Sequence, residues 1–212
     1  TYTVTGVAPC INDTSLATVN INPQPTAGVD GSTTVCETST ATIDLYSLIT
    51  GEQPGGVWTQ SSGAGGVFNA AAGTYIPAIG ATTSTFTYTV TGVAPCTTDT
   101  SLATVNINPQ PTAGVDGSTT ICETSTTVIN LFNLITGEQP GGVWTQSSGT
   151  GGVFNAVAGT YTPGVGATTS TFTYTVTGVA PCINDTSLAN VKSNPQGTAG
   201  IVGSTTVCET ST

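Results

Sequence analysis

The sequence TYTVTGVAPC occurs three times, beginning at Thr1, Thr87 and Thr173, so the chain repeats with a fixed period of 86 residues. Residues 1–86 and 87–172 differ at 13 positions, and a third, incomplete copy runs from Thr173 to Thr212. Copies this alike, at a fixed long period, describe a tandem array in which each period builds one structural unit. A unit of that size can bury roughly 60–65% of the surface its unfolded chain exposes, enough for one small core.

The secondary structure is legible in the alternation. Thr85-Phe86-Thr87-Tyr88-Thr89-Val90-Thr91 puts Phe86, Tyr88 and Val90 on one face and threonines on the other. Period two with aromatic and β-branched residues is a half-buried strand. A turn-rich GVAPCTTD loop leads into a second strand, Thr100 to Asn108, with Ala103, Val105 and Ile107 on one face. Upstream, the pattern predicts strands near Ser32–Cys36, over Ala41–Ile49 with Ile43 and Leu45 inward, over Val57–Gln60 carrying Trp58, and at Val67–Asn69 and Tyr75–Ile76. GEQPGG and SSGAGG are turns between them. Seven short strands, regularly spaced turns and no helical period predict an all-β fold, a seven-strand antiparallel β-sandwich.

Asn108-Pro109-Gln110-Pro111 is the linker-like stretch of the period, repeated as NPQP at 22–25 and NPQG at 194–197. Its prolines end the strand and stiffen the chain. Boundaries placed there make residues 1–24 the C-terminal hairpin of a preceding repeat, 25–110 and 111–196 whole repeats, and 197–212 the start of the following one. The third copy departs at Asn190, Lys192, Ser193, Gly197, Ile201 and Val202, and Ser193 replaces an inward Ile.

Charge excludes several functions. The chain has 11 acidic residues, no His and one basic residue, Lys192, for a net charge of −10. Nucleic-acid binding needs cations to displace counterions from phosphates, so it is not expected. Attraction to an anionic membrane fails for the same reason. No apolar run approaches the ~20 residues of a membrane-spanning helix, and no leader peptide is legible at the start. There is no His, Asp44 is replaced by Asn130 and Tyr46 by Phe132 between copies, and the carboxylates that recur, at Asp13, Glu37 and Glu52, each stand alone in a turn as turn formers or caps, so no enzymatic activity is expected. Asp30, next to Gly31-Ser32, and Asp13 are the candidate Ca²⁺ ligands, but no D-x-D-x-D-G loop is present. No other cofactor is expected.

Six cysteines, Cys10, Cys36, Cys96, Cys122, Cys182 and Cys208, fall two to a period, with no C-x-x-C and no His to make a zinc site. In a small Thr-rich unit this reads as disulfides formed in an extracellular, oxidising setting.

The lone Trp on a third strand and Tyr88 near the start of the sixth resemble an immunoglobulin-like (Ig-like) sandwich. Val90 stands two positions after Tyr88, where antibody domains carry a Cys, so their inter-sheet disulfide is missing. NPQPTAGVDGSTTVCETSTATIDL, then GGVWTQ, FTYTV, a Cys and DTSLATVNI resemble the PKD-like and Ig-like tandem repeats of large secreted Bacteroidota surface proteins, gliding-type adhesins among them. The resemblance implies a structural segment of an extracellular fibre or adhesin stalk, with neighbouring repeats as its partners and host or surface glycans as further candidates. It also implies O-glycosylation at the Asp-Thr-Ser motifs, at Thr14, Thr100 and Thr186. The alternative function is a repeated glycan-binding module, with Trp58 and Trp144 as the contacts.

Three disulfide connectivities are open at this stage. In a seven-strand sandwich Cys36 closes the first strand at the far end, whereas Cys96 lies in the loop between the last two strands at the leading end. A strand length exceeds the ~7 Å Cα separation a disulfide allows, which favours a pair across the junction, Cys36–Cys182. An intradomain scheme, Cys36–Cys96 with Cys122–Cys182, competes, as does Cys10–Cys36.

Overall fold

A computed structural model describes residues 1–200, 202–206 and 208. The expected departure at Ile201, and residues 207 and 209–212 of the expected third opening, lie outside the described residues. The chain divides into two compact units, Thr1–Asn108 and Pro109–Thr212.

The first unit begins with a small hairpin, β1 (Tyr2–Val4) and β2 (Asp13–Ser15). Its sandwich then follows: β3 (Gly31–Cys36), β4 (Ile43–Asp44), β5 (Val57–Ser62), β6 (Val67–Asn69), β7 (Thr74–Ile76), β8 (Ser84–Val90) and β9 (Asp99–Asn108). One sheet has the order β3-β9-β8-β5 and the other β4-β7-β6. Every pairing in the sandwich is antiparallel but one: β3 runs parallel to β9, with Gly31 opposite Ala103 and Cys36 opposite Asn108. The second unit repeats this plan with β10 (Gly117–Cys122), β11 (Ile129–Asn130), β12 (Val143–Ser148), β13 (Gly152–Asn155), β14 (Thr160–Pro163), β15 (Ser170–Val176) and β16 (Asp185–Asn194). Its sheets are β10-β16-β15-β12 and β11-β14-β13, and β10 is parallel to β16.

Sequence alternation maps directly onto burial in β8, where Ser84, Phe86, Tyr88 and Val90 are buried and the threonines between them are half-exposed. The strand expected over Ala41–Ile49 is corrected. Only Ile43–Asp44 is extended, and Leu45–Ser47 turns into a single 3-10 turn. The cause is local: the Asp44 carboxylate accepts a 3.0 Å hydrogen bond from the Tyr46 N–H and caps the turn. Asn130 does the same for Phe132 at 3.1 Å, so the Asp-to-Asn exchange between copies preserves the cap.

Each core is aromatic. Trp58 packs at 5.0 Å against Tyr88 and edge-on at 5.5 Å against Tyr46, while Phe86 lies 4.9 Å from both Phe68 and Tyr75. Phe132 takes the place of Tyr46 beside Trp144 at the same 5.5 Å, so the hydroxyl is dispensable there. Gly73 lets the chain pass over the indole. Its φ is +65°, and a Cβ would fall 2.7 Å from Trp58 Nε1. The Tyr88 hydroxyl donates to the Gln53 carbonyl at 2.7 Å and accepts from the Gly56 N–H at 2.9 Å, tying β8 to the turn before β5.

Candidate functional site

The two ends of each unit hold its chemistry. At one end lies the loop that precedes the last strand. In the first unit Cys96 closes a tight turn there, its N–H donating to the Val93 carbonyl at 3.0 Å, and its thiol donates to the Asn22 carbonyl at 3.2 Å. Asn22 and Gln24 grip the same loop: Asn22 Nδ2 donates to the Ala94 carbonyl at 2.9 Å and Gln24 Nε2 to the Thr97 carbonyl at 3.1 Å. The linker prolines are thus flanked by side chains that fasten the linker to the loop. Cys182 occupies the equivalent turn of the second unit, its N–H on the Val179 carbonyl at 2.9 Å.

At the opposite end lies the end of the first sandwich strand. Cys36 stands across from Asn108 and Cys122 across from Asn194, and in both units the next turn is closed by a 2.9 Å bond, Ser39 N–H to the Cys36 carbonyl or Ser125 N–H to the Cys122 carbonyl. Cys122 Sγ lies 3.1 Å from Thr124 Oγ1 and donates to Gln196 Oε1 at 3.0 Å. The Thr124 hydrogen bonds, side chain first and backbone second, hold the Cys122 thiol below its ordinary pKa.

Cys36 and Cys182 are disulfide-bonded, whereas Cys10, Cys96, Cys122 and Cys208 are free thiols. The intradomain pairs Cys36–Cys96 and Cys122–Cys182 do not form, nor does Cys10–Cys36. Strand register gives the reason within a unit. Cys36 is level with the end of β9 and Cys96 lies ahead of its start, about 30 Å away at 3.3 Å per residue, well beyond the reach of a disulfide.

The Asp-Thr-Ser motifs have a structural explanation that the sequence did not reveal. Asp99 Oδ2 accepts from the Ala27 N–H at 2.8 Å, and Ser101 Oγ donates to the Ala27 carbonyl at 2.7 Å. Asp185 and Ser187 clamp Ala113 in the same way, both at 2.8 Å. Asp30 reciprocates, its Oδ1 accepting from the Leu102 N–H at 2.8 Å. Asp30, one of the two carboxylates considered for Ca²⁺, is therefore engaged with a backbone amide. Among the described residues no three of Cys, Asp and Glu gather to hold a metal ion. The Thr between each clamping pair, Thr100 or Thr186, is exposed, and so is Thr14 in the β1–β2 hairpin.

Trp58 and Trp144 are 1% and 2% exposed. The glycan-contact role considered for them is corrected, because an indole enclosed by aromatic neighbours has no face to offer a sugar. Among the described residues no helix is long and apolar enough to cross a membrane.

No known family matches the chain, and no curated protein matches it. Among solved structures it is similar to Drosophila N-cadherin, at 6% identity over 79% of this chain and 49% of that one, with a TM-score of 0.40. It is similar also to an I-band fragment of titin, at 8% identity over 78% of this chain and 63% of that one, with a TM-score of 0.41. A mouse clustered protocadherin aligns at 11% identity over 83% of this chain and 69% of that one, with a TM-score of 0.34. The chain thus spans less than two thirds of the N-cadherin and titin fragments.

Proposed function

We propose that the chain is a structural segment of an extracellular repeat fibre or adhesin stalk, its successive sandwich units joined covalently by a Cys36–Cys182 disulfide. The observation that carries this reading is the pattern of oxidation. The oxidised cysteines are one strand-end cysteine and one loop cysteine, Cys36 and Cys182, while the cysteines sharing a unit with them, Cys96 and Cys122, stay reduced. A bond of this kind links repeats rather than closing one, and it carries tension past the Pro-rich linker.

Disulfides persist in oxidising compartments, which supports a secreted or cell-surface location. The resemblance to Bacteroidota surface repeats supports the stalk reading, and the exposed Thr14, Thr100 and Thr186 are the proposed O-glycan attachment points. The reading needs no catalytic residue and no cofactor; its partners are further repeats. Electron microscopy of the native material tests it: thin, beaded or continuous fibres are expected, and isolated compact particles would overturn it.

A further inference from the structure

We infer that Cys96 and Cys122 are the two open halves of the same kind of junction, each completed by a cysteine of the opposite kind on another copy of this repeat. The inference rests on the proposed Cys36–Cys182 pairing. By position the cysteines are of two kinds: loop cysteines (Cys10, Cys96, Cys182) and strand-end cysteines (Cys36, Cys122), with Cys208 at the equivalent position of the third copy in sequence. One of each kind is oxidised, and each seven-strand sandwich retains one of the opposite kind as a thiol, Cys96 in the first and Cys122 in the second.

The free sites are built like the oxidised ones. Glu37 N–H donates to the Asn108 carbonyl beside Cys36, and Glu123 N–H to the Asn194 carbonyl beside Cys122, both at 2.9 Å. The turns that hold Cys96 and Cys182 differ by 0.1 Å in their closing bond, 3.0 against 2.9 Å. The backbone around a cysteine is therefore set before any bond forms, and the free thiols stand in settings already shaped for it. A loop cysteine meeting a strand-end cysteine is a heterologous contact, which propagates from copy to copy; a bond between two cysteines of one kind would close a symmetric pair.

With oxidised glutathione as the oxidant, the chemistry is two thiol–disulfide exchanges. The Cys122 thiolate attacks one glutathione sulfur, making a mixed disulfide and expelling a glutathione thiolate. The Cys96 thiolate of another copy then attacks Cys122 Sγ, forming the Cys96–Cys122 bond and expelling the second glutathione thiolate. Two protein thiols are oxidised, one glutathione disulfide is reduced to two thiols, and the two protons lost by the cysteines end on glutathione or in solvent.

The test uses the 212-residue chain with Cys10→Ser and Cys208→Ser, so that Cys96 and Cys122 are the remaining free thiols. After incubation in a glutathione redox buffer, a non-reducing gel should show a ladder of dimers, trimers and higher species. Adding Cys96→Ser or Cys122→Ser should abolish the ladder, and digestion of the dimer band should yield a Cys96–Cys122 cross-link. A chain that stays monomeric, or dimers joined only through Cys122–Cys122, would overturn the inference. The same digest reports on Cys36–Cys182: that bond present without a ladder defeats this inference alone, whereas its absence defeats the underlying reading as well.

Discussion

Ser193 stands in the second unit where Ile107 stands in the first. Ile107 packs against the first core, while Ser193 Oγ is buried without a hydrogen-bond partner among the described residues. A buried hydroxyl left unpaired costs about 1–3 kcal/mol, and the lost aliphatic burial adds to it. Ser193→Ile should therefore stabilise the second unit by about 2 kcal/mol in chemical denaturation; an unchanged or lowered midpoint would contradict this packing. At Cys122 the expected effect is on reactivity. The hydrogen bonds of Thr124 favour the thiolate, and the thiolate is the species that alkylates. Thr124→Val removes the side-chain bond and should shift the pH profile of Cys122 alkylation, followed by peptide mass, to higher pH. A profile that does not move would show that Thr124 does not hold the thiol.

Among the elements, identical sequence takes two very different environments. Tyr2 is 70% exposed in the β1–β2 hairpin, and its equivalent Tyr88 in β8 is 0% exposed. The difference lies in the neighbours: β8 is flanked by β5 and β9 and backed by a second sheet, whereas β1 pairs with β2 over three residues. Hydrogen exchange resolved by NMR should find the Tyr88–Val90 amides protected at least about a hundredfold more than those of Tyr2–Val4, since core strands open only with the whole unit. Equal protection would contradict the hairpin's lack of cover. The same comparison explains what the sequence could disclose. Strict alternation in Ser84–Val90 reports a half-buried strand wherever it occurs, so β8 and β15 were legible. The 3-10 turn after Ile43 was not legible, because a side-chain cap at Asp44 outcompeted the strand pattern. Nor was the clamp of Asp99 and Ser101 on Ala27, whose partners lie 72 and 74 residues apart in sequence and meet only in the fold.

For the whole molecule, the period explains both architecture and chemistry. Near-identical copies build near-identical sandwiches, and each seven-strand sandwich places its two cysteines, Cys36 and Cys96 or Cys122 and Cys182, at opposite ends, where they cannot bond to each other. A chain with one basic residue also leaves trypsin a single site, Lys192, and that site helps to assign the disulfide. The ten residues ending at Cys10 and at Cys182 are identical, so a short peptide cannot distinguish the two, but a peptide running on to Lys192 belongs to Cys182 alone. The most direct measurement is a combined chymotryptic and tryptic map of the protein under non-reducing conditions, with free thiols blocked beforehand. A Cys36 peptide linked to the peptide ending at Lys192 is the expected result, together with blocked Cys96 and Cys122. A Cys36 peptide linked to Cys96, or an alkylated Cys36, would contradict the proposed Cys36–Cys182 pairing.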